Sequence, residues 1–267
     1  MIEIFARTFK GFSGLTEISE EIKKVANDYA DIKKKTAVAQ EQYKEYLPKY
    51  KELKAKDGAY YDKGIVINLS KVEPMIALPF HPSNAYTIRD FLSRPYELLK
   101  QAEEAGQKLL PQGKGEFKLT DKIKDGKVFV EQGVIAGCAG GMYENIVEAS
   151  NILGADSISN NDFTLDVYPS SQPVYKGLVD GGYVTKLIDN GAVIKTAFCG
   201  PCFGAGDVPQ NNGLSIRHTT RNFESREGSQ PAYGQLSAVA LMDARSIAAT
   251  AKNGGAITSA MDMEYSN

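Results

Sequence analysis

Residues 127–153 read KVFVEQGVIAGCAGGMYENIVEASNIL. The first part, Lys127 to Ile135, is a β-branched and aliphatic run of the kind that forms a strand. The last part, Tyr143 to Leu153, is a helical candidate. Between them Ala136-Gly137-Cys138-Ala139-Gly140-Gly141 makes a glycine-rich turn that carries a cysteine. A strand running into a helix through such a turn belongs to an alternating pattern, and alternation builds parallel sheets.

The pattern continues in both directions. Further strands are predicted at Ile65 to Leu69, Thr164 to Val167, Ala192 to Thr196 and Leu214 to Thr219, and further helices at Tyr86 to Gly106, Pro173 to Asp189 and Ala232 to Lys252. The expected fold class is α/β, a three-layer α/β/α arrangement around a mostly parallel sheet with helices on both faces. Gly106 to Lys127, rich in charge and glycine, reads as a hairpin or loop insertion. From Glu17 to about Lys56 the chain is rich in Glu, Lys, Ala and Gln, with Ile18, Ile22, Val25, Tyr29 and Ile32 at helical spacing. Residues 1–56 are therefore expected to be a charged N-terminal helical lead-in, kinked or ended near Pro48, and residues 57–267 the α/β domain.

The bulk properties exclude several classes. A 267-residue chain with 42% hydrophobic and 24% charged residues is ordinary globular material. Its longest apolar runs, such as Val128 to Cys138, fall short of the roughly 20 residues that span a bilayer, so no membrane segment is expected. Met1 to Lys10 lacks the order of a secretory signal, and a cytoplasmic location follows by default. A net charge of -2 argues against nucleic acid as a partner. Lys33-Lys34-Lys35 reads as a solvated helix face. Three cysteines make no disulfide framework.

In a wound parallel sheet, ligands gather where loops leave the carboxyl ends of the strands. Three unusual clusters fall at such ends: the turn holding Cys138, the stretch Phe198-Cys199-Gly200-Pro201-Cys202-Phe203-Gly204-Ala205-Gly206, and Arg221-Asn222-Phe223-Glu224-Ser225-Arg226-Glu227-Gly228. Three thiolates suit a cluster with three irons held by protein and one left open. An open iron is a Lewis acid toward hydroxyl and carboxylate groups, and arginines grip carboxylates with two prongs. Other readings stay open on the residues alone. C-G-P-C is also a redox motif, although the residues after it are poor helix formers. Three cysteines with His81 or His218 would complete a zinc site, and a lone cysteine such as Cys138 is often just a small buried hydrophobe.

These segments resemble the aconitase family. Tyr61-Asp62-Lys63-Gly64-Ile65-Val66-Ile67-Asn68-Leu69-Ser70, then Glu73-Pro74 and Pro79-Phe80-His81-Pro82, look like the lead into the third domain of those enzymes. Cys138 with Tyr143-Glu144-Asn145 is similar to the first ligand motif, and Ala197-Phe198-Cys199-Gly200-Pro201-Cys202-Phe203-Gly204 to the second. Arg221-Asn222-Phe223 with Arg226 resembles the R-N-F-x-x-R motif. The resemblance covers roughly Asp57 to Gly255. It implies that Cys138, Cys199 and Cys202 ligate a [4Fe–4S] cluster whose fourth iron binds substrate, and that Arg221 and Arg226 hold substrate carboxylates or support the site. Ala139-Gly140-Gly141 stands where aconitases typically have Thr-Asn and a small residue, and Thr220 where many have Asn, so the substrate stays unassigned.

The function the resemblance implies is that of a hydro-lyase, dehydrating and rehydrating a di- or tricarboxylic hydroxy acid. Family members draw further catalytic groups from other domains, and no segment here matches them. The chain is thus expected to be a fragment, or a subunit working with other domains or subunits, and inactive alone. In an isolated domain the open iron would be the most labile part, so the cluster is expected to be lost readily. The alternative is a non-catalytic domain that kept the fold and binds a partner or ligand.

Overall fold

A computed structural model describes residue 27, residues 57–158 and residues 162–263. The helix expected from Glu17 to Lys56 lies outside the described residues except at Asn27, which is helical and exposed. The chain divides into two compact units, Met1–Ile67 and Asn68–Asn267. In the first, residues 57–67 are exposed and carry no regular secondary structure.

The second unit holds a seven-stranded sheet. Its strands are β1 (Met75–Ala77), β2 (Ala85–Thr87), β5 (Gln132–Ile135), β6 (Thr164–Val167), β7 (Val193–Ile194), β8 (Leu214–His218) and β9 (Ala238–Met242); β3 (Ile123–Lys124) and β4 (Lys127–Val128) form a separate hairpin. The order across the sheet is β2-β1-β9-β8-β5-β6-β7. The five strands from β9 to β7 are parallel, and β1 and β2 add an antiparallel edge. The helices are α1 (Ile88–Ser93), α2 (Pro95–Gln107), α3 (Gly137–Gly140), α4 (Tyr143–Leu153), α5 (Gln172–Asp180), α6 (Tyr183–Asp189) and α7 (Ala244–Lys252). The fold is the mostly parallel α/β sheet with helices read from the alternation.

Period-two geometry sorts the side chains of the central strands. Ile135, Leu165, Val167, Leu214 and Ile216 join the main hydrophobic core, together with Ile146, Leu153 and Ile247 of α4 and α7, which pack against each other. Gly133 lets α7 lie close on β5: a Cβ there would meet Ile247 Cγ2 at 2.9 Å. The alternate residues, among them Gln132, Asp166, Ser215 and Arg217, are far more polar. The cysteine-bearing loop is bonded to that side, as described below.

Several elements depart from expectation. Ile65 to Leu69 is no strand; its residues are exposed, and Leu69–Lys71 form a single 3-10 turn. The helix expected over Ala232 to Lys252 is a strand, β9, followed by a helix, α7. Ala238–Met242 is buried almost throughout, so it shows no alternation, and Asp243 caps the true helix start by accepting from the amides of Arg245 and Ser246. Lys127 to Ile135 breaks into β4 and β5. The helix expected over Tyr86 to Gly106 starts as β2 and is divided at Arg94-Pro95, and Pro173 to Asp189 is divided at Gly181-Gly182, the latter glycine with φ 75°.

Candidate functional site

Chain direction around the sheet reverses between β5 and its neighbour β8: from β5 the chain moves through β6 to β7, then returns to β8 and continues to β9. Such a switch point leaves a crevice at the carboxyl ends of the two strands. Cys138 follows β5, Arg221 to Arg226 follow β8, and the Cys199–Cys202 loop comes from β7 and reaches the same place.

The turn after β5 is tight. Ala136 is extended, Gly137 turns through φ 73°, and Cys138 sits exposed in the single turn of α3. A Cβ on Gly137 would stand 2.9 Å from Cys202 Sγ and 3.7 Å from Cys199 Sγ, so this glycine brings the first cysteine's backbone against the other two thiols. Gly140 packs as closely, for its Cβ would fall 1.9 Å from the His218 carbonyl oxygen at the end of β8. Cys199 and Cys202 are joined by the 3-10 turn Gly200–Cys202, with the Cys202 amide donating to the Cys199 carbonyl at 3.1 Å. All three thiols are free; Cys202 is buried and the others exposed. Burial pushes the Cys202 thiol pKa up, the Cys199 thiol beside it adds to this, the Thr220 amide opposes it, and Cys138 contributes from its own turn. The three cysteines thus share one electrostatic neighbourhood.

The Arg-Asn-Phe segment is anchored by its middle residue. Asn222 is buried and donates through Nδ2 to the carbonyls of Ala77 and Leu78 at 3.1 and 2.8 Å, tying the loop to the end of β1. Phe223 meets the His81 ring edge-on at 5.2 Å. Arg226 is half-buried and donates to the Cys202 carbonyl at 3.1 Å, while its Nε is buried without a partner. Arg221 is exposed, and no hydrogen bond or ion pair among the described residues engages it. Cys138, Cys199, Cys202 and Arg226 therefore come together, and Arg221 stands at the open edge of the same loop.

The histidines are placed differently. His81 is exposed, with Nδ1 2.6 Å from Ser83 Oγ. His218 faces α7, where its Nδ1 accepts from the Ala244 amide at 3.2 Å, and burial holds its pKa below the usual histidine value. Among the described residues no group of three or more His, Cys, Asp or Glu side chains is arranged to hold a metal ion, the thiols included. The C-G-P-C turn opens no α-helix, which the redox motif would need at its first thiol.

Sequence reasoning missed the residue beneath the cysteine loop. Arg217, within β8, is 1% exposed. Its guanidinium donates to Pro201 O at 2.8 Å, Gln132 Oε1 at 3.1 Å, Ser215 Oγ at 3.0 Å and the Asp207 carbonyl. The available signal was a charged residue within a predicted strand, Leu214 to Thr219. Beside it Lys195 Nζ lies 3.6 Å from Asp166 Oδ1 and 3.9 Å from Asp207 Oδ1. Burial and the nearby Asp207 charge raise Asp166 to about 6.

The chain is thus a wound α/β domain with three cysteines and an arginine loop at its switch point, and comparison with known proteins makes this specific. The family model "Aconitase family (aconitate hydratase)" matches residues 14–249, and the chain belongs to that family. Its relatives include the 3-isopropylmalate dehydratase large subunits of Caldicellulosiruptor bescii, 27% identical over 74% of this chain and 38% of its own length, and of Campylobacter jejuni subsp. jejuni serotype O:6, 29% identical over 70% and 40%. That of Caldanaerobacter subterraneus subsp. tengcongensis is 28% identical over 74% and 40%. The chain spans about two fifths of the length of these relatives. No helix among the described residues is long and apolar enough to cross a membrane.

Proposed function

We propose that this chain is the cluster-carrying part of an aconitase-family hydro-lyase, with Cys138, Cys199 and Cys202 as the three protein ligands of a [4Fe–4S] cluster. The observation that carries the reading is the glycine turn at Gly137, the residue before Cys138, which lies so close to the Cys199 and Cys202 sulfurs that a Cβ there would crowd them. Thiolates from separate loops, with backbone close by, are the donor set such a cluster uses. When bound, the cluster supplies an open iron that acts as a Lewis acid on the hydroxyl to be lost.

The chain's own residues have the remaining roles at this rim. Arg221, exposed and unengaged, offers a planar fork to a substrate carboxylate. Arg226 steadies Cys202 through its carbonyl. Phe198 and Phe203, next to Cys199 and Cys202 in the chain, 51% and 49% exposed and edge-to-face with each other, would limit water once substrate is seated. The group that removes the substrate proton comes from the rest of the enzyme. The relatives are named large subunits, so a second subunit is the expected partner, working in the cytoplasm. Their name also favours a hydroxy dicarboxylic acid over a tricarboxylic one.

The test is electron paramagnetic resonance on the chain, loaded with iron and sulfide without oxygen and then reduced. Adding a hydroxy dicarboxylate such as 3-isopropylmalate is expected to shift the signal, and Arg221→Gln to need about tenfold more acid for the same shift, the loss of one charge-assisted pair. A signal unchanged by hydroxy di- and tricarboxylates would contradict the reading.

A further inference from the structure

Arg217 is the largest fully buried side chain of the described protein. A buried guanidinium normally sits against a carboxylate, because leaving water costs several kcal/mol per ion. Among the described residues none lies within ion-pair distance of Arg217. Its partners are neutral: the carbonyls of Pro201 and Asp207, the amide oxygen of Gln132 and the hydroxyl of Ser215. Two of these lie in the cysteine loop. Pro201 stands between Cys199 and Cys202, and Asp207 ends the run of glycines after them. The other two lie on β5 and β8, the strands that define the switch point. One planar group thus ties the cysteine loop to the two central strands, and its positive charge is felt by Cys202 as well as by the carboxylates of Glu227 and Asp207.

We infer that Arg217 is a positioning residue for the cluster site: its fork fixes the Cys199–Asp207 loop on the sheet, and its charge, held in no ion pair, helps to balance the thiolates gathered at that loop. This rests on the cluster reading and goes beyond it, since nothing in a cysteine ligand set requires a cation under the loop. Three thiolates close together repel one another when no metal separates their charges, and a buried cation relieves that repulsion. Once a cluster is bound, the same charge favours its more negative, reduced form and raises its potential. A purely structural role would lower the melting temperature of an Arg217 variant while leaving the potential and the iron retention of its folded fraction unchanged.

The experiment compares the parent chain with Arg217→Met, which removes fork and charge, and Arg217→Lys, which keeps only the charge. Thermal melting is followed without iron; chelator competition and the cluster's midpoint potential are followed after loading without oxygen. The expected result is an apo Arg217→Met that melts lower than the parent, because four acceptors lose their donor, and whose folded fraction holds iron about 10–100-fold less tightly, the usual cost of losing a group that orients ligands. Its potential should move to more negative values. Arg217→Lys should keep the parent's potential and release iron faster. Equal potentials and equal iron retention in the parent and either variant would overturn the inference alone. So would an Arg217→Met chain that melts far lower while its folded fraction loads normally. Should Arg217→Met fail to fold, parent-like retention in Arg217→Lys still overturns the fork. A parent that takes up no iron would defeat the cluster reading itself, and this inference with it.

Discussion

Asp166 has the clearest pH signature of any side chain near the site. Its carboxyl is buried on β6, and burial, then the neighbouring Asp207 charge, raise its pKa to about 6 against the pull of Lys195. A raised carboxyl binds its proton more tightly in the folded chain than in the unfolded one, so its contribution to stability is fully present below about pH 4 and lost as pH rises through about 6. Asp166→Asn, which cannot ionise, is therefore expected to gain on the parent between pH 4 and pH 7.5, by up to about 3 kcal/mol. Urea unfolding of both chains at the two pH values measures this; a difference that stays constant contradicts it. The site residues were legible to different degrees. Cys138, Cys199, Cys202 and Arg226 stood out because few residue types bind iron or fork onto oxygen, and the structure brings them together. Arg217 was hidden because a strand pattern is read from the apolar residues around it, and its partners are up to 85 positions away in sequence.

At the level of elements, α2 is pinned by one carboxylate. Glu103 is 3% exposed and accepts from Lys100 Nζ at 2.6 Å, the amides of Leu119 and Thr120 at 3.0 and 3.1 Å, and the Thr120 hydroxyl at 2.8 Å. Burial alone would raise its pKa, but these donors outweigh burial and bring it to about 2. Glu103→Gln keeps the shape and loses the charge, leaving the Leu119 and Thr120 donors weakly paired; it is expected to cost about 2–3 kcal/mol in a denaturant titration at neutral pH. A cost within about 0.5 kcal/mol would show that the helix is held by its apolar face alone. That face, with Leu98, Leu99 and Ala102, is the part sequence periodicity can reveal. Periodicity failed where burial was two-sided or pairing was remote. Ala238–Met242 reads as helix on propensity but is fixed as a strand by β8 and β1 on either side, and Met75–Ala77 is too short to register. Ile65 to Leu69 has strand composition, yet no described strand pairs with it.

For the whole molecule, the order of strands matters more than their count. Placing β8 beside β5 sets the loops after both strands in one crevice, and the return from β7 brings the second cysteine loop over it. Alternation of elements was enough to anticipate a mostly parallel sheet, with both cysteine loops leaving the carboxyl ends of its strands. The antiparallel edge of β1 and β2 was not legible, since its strands are held by pairing with β9, far along the chain. The central claim is that the three cysteines on two loops of this sheet hold one iron–sulfur cluster, and counting iron and sulfide per chain tests it most directly. After anaerobic loading the parent should carry about four of each. Cys138→Ser, Cys199→Ser and Cys202→Ser should each carry far less. Full loading in any of the three would remove that cysteine from the ligand set, and an absence of iron from the parent would contradict the account.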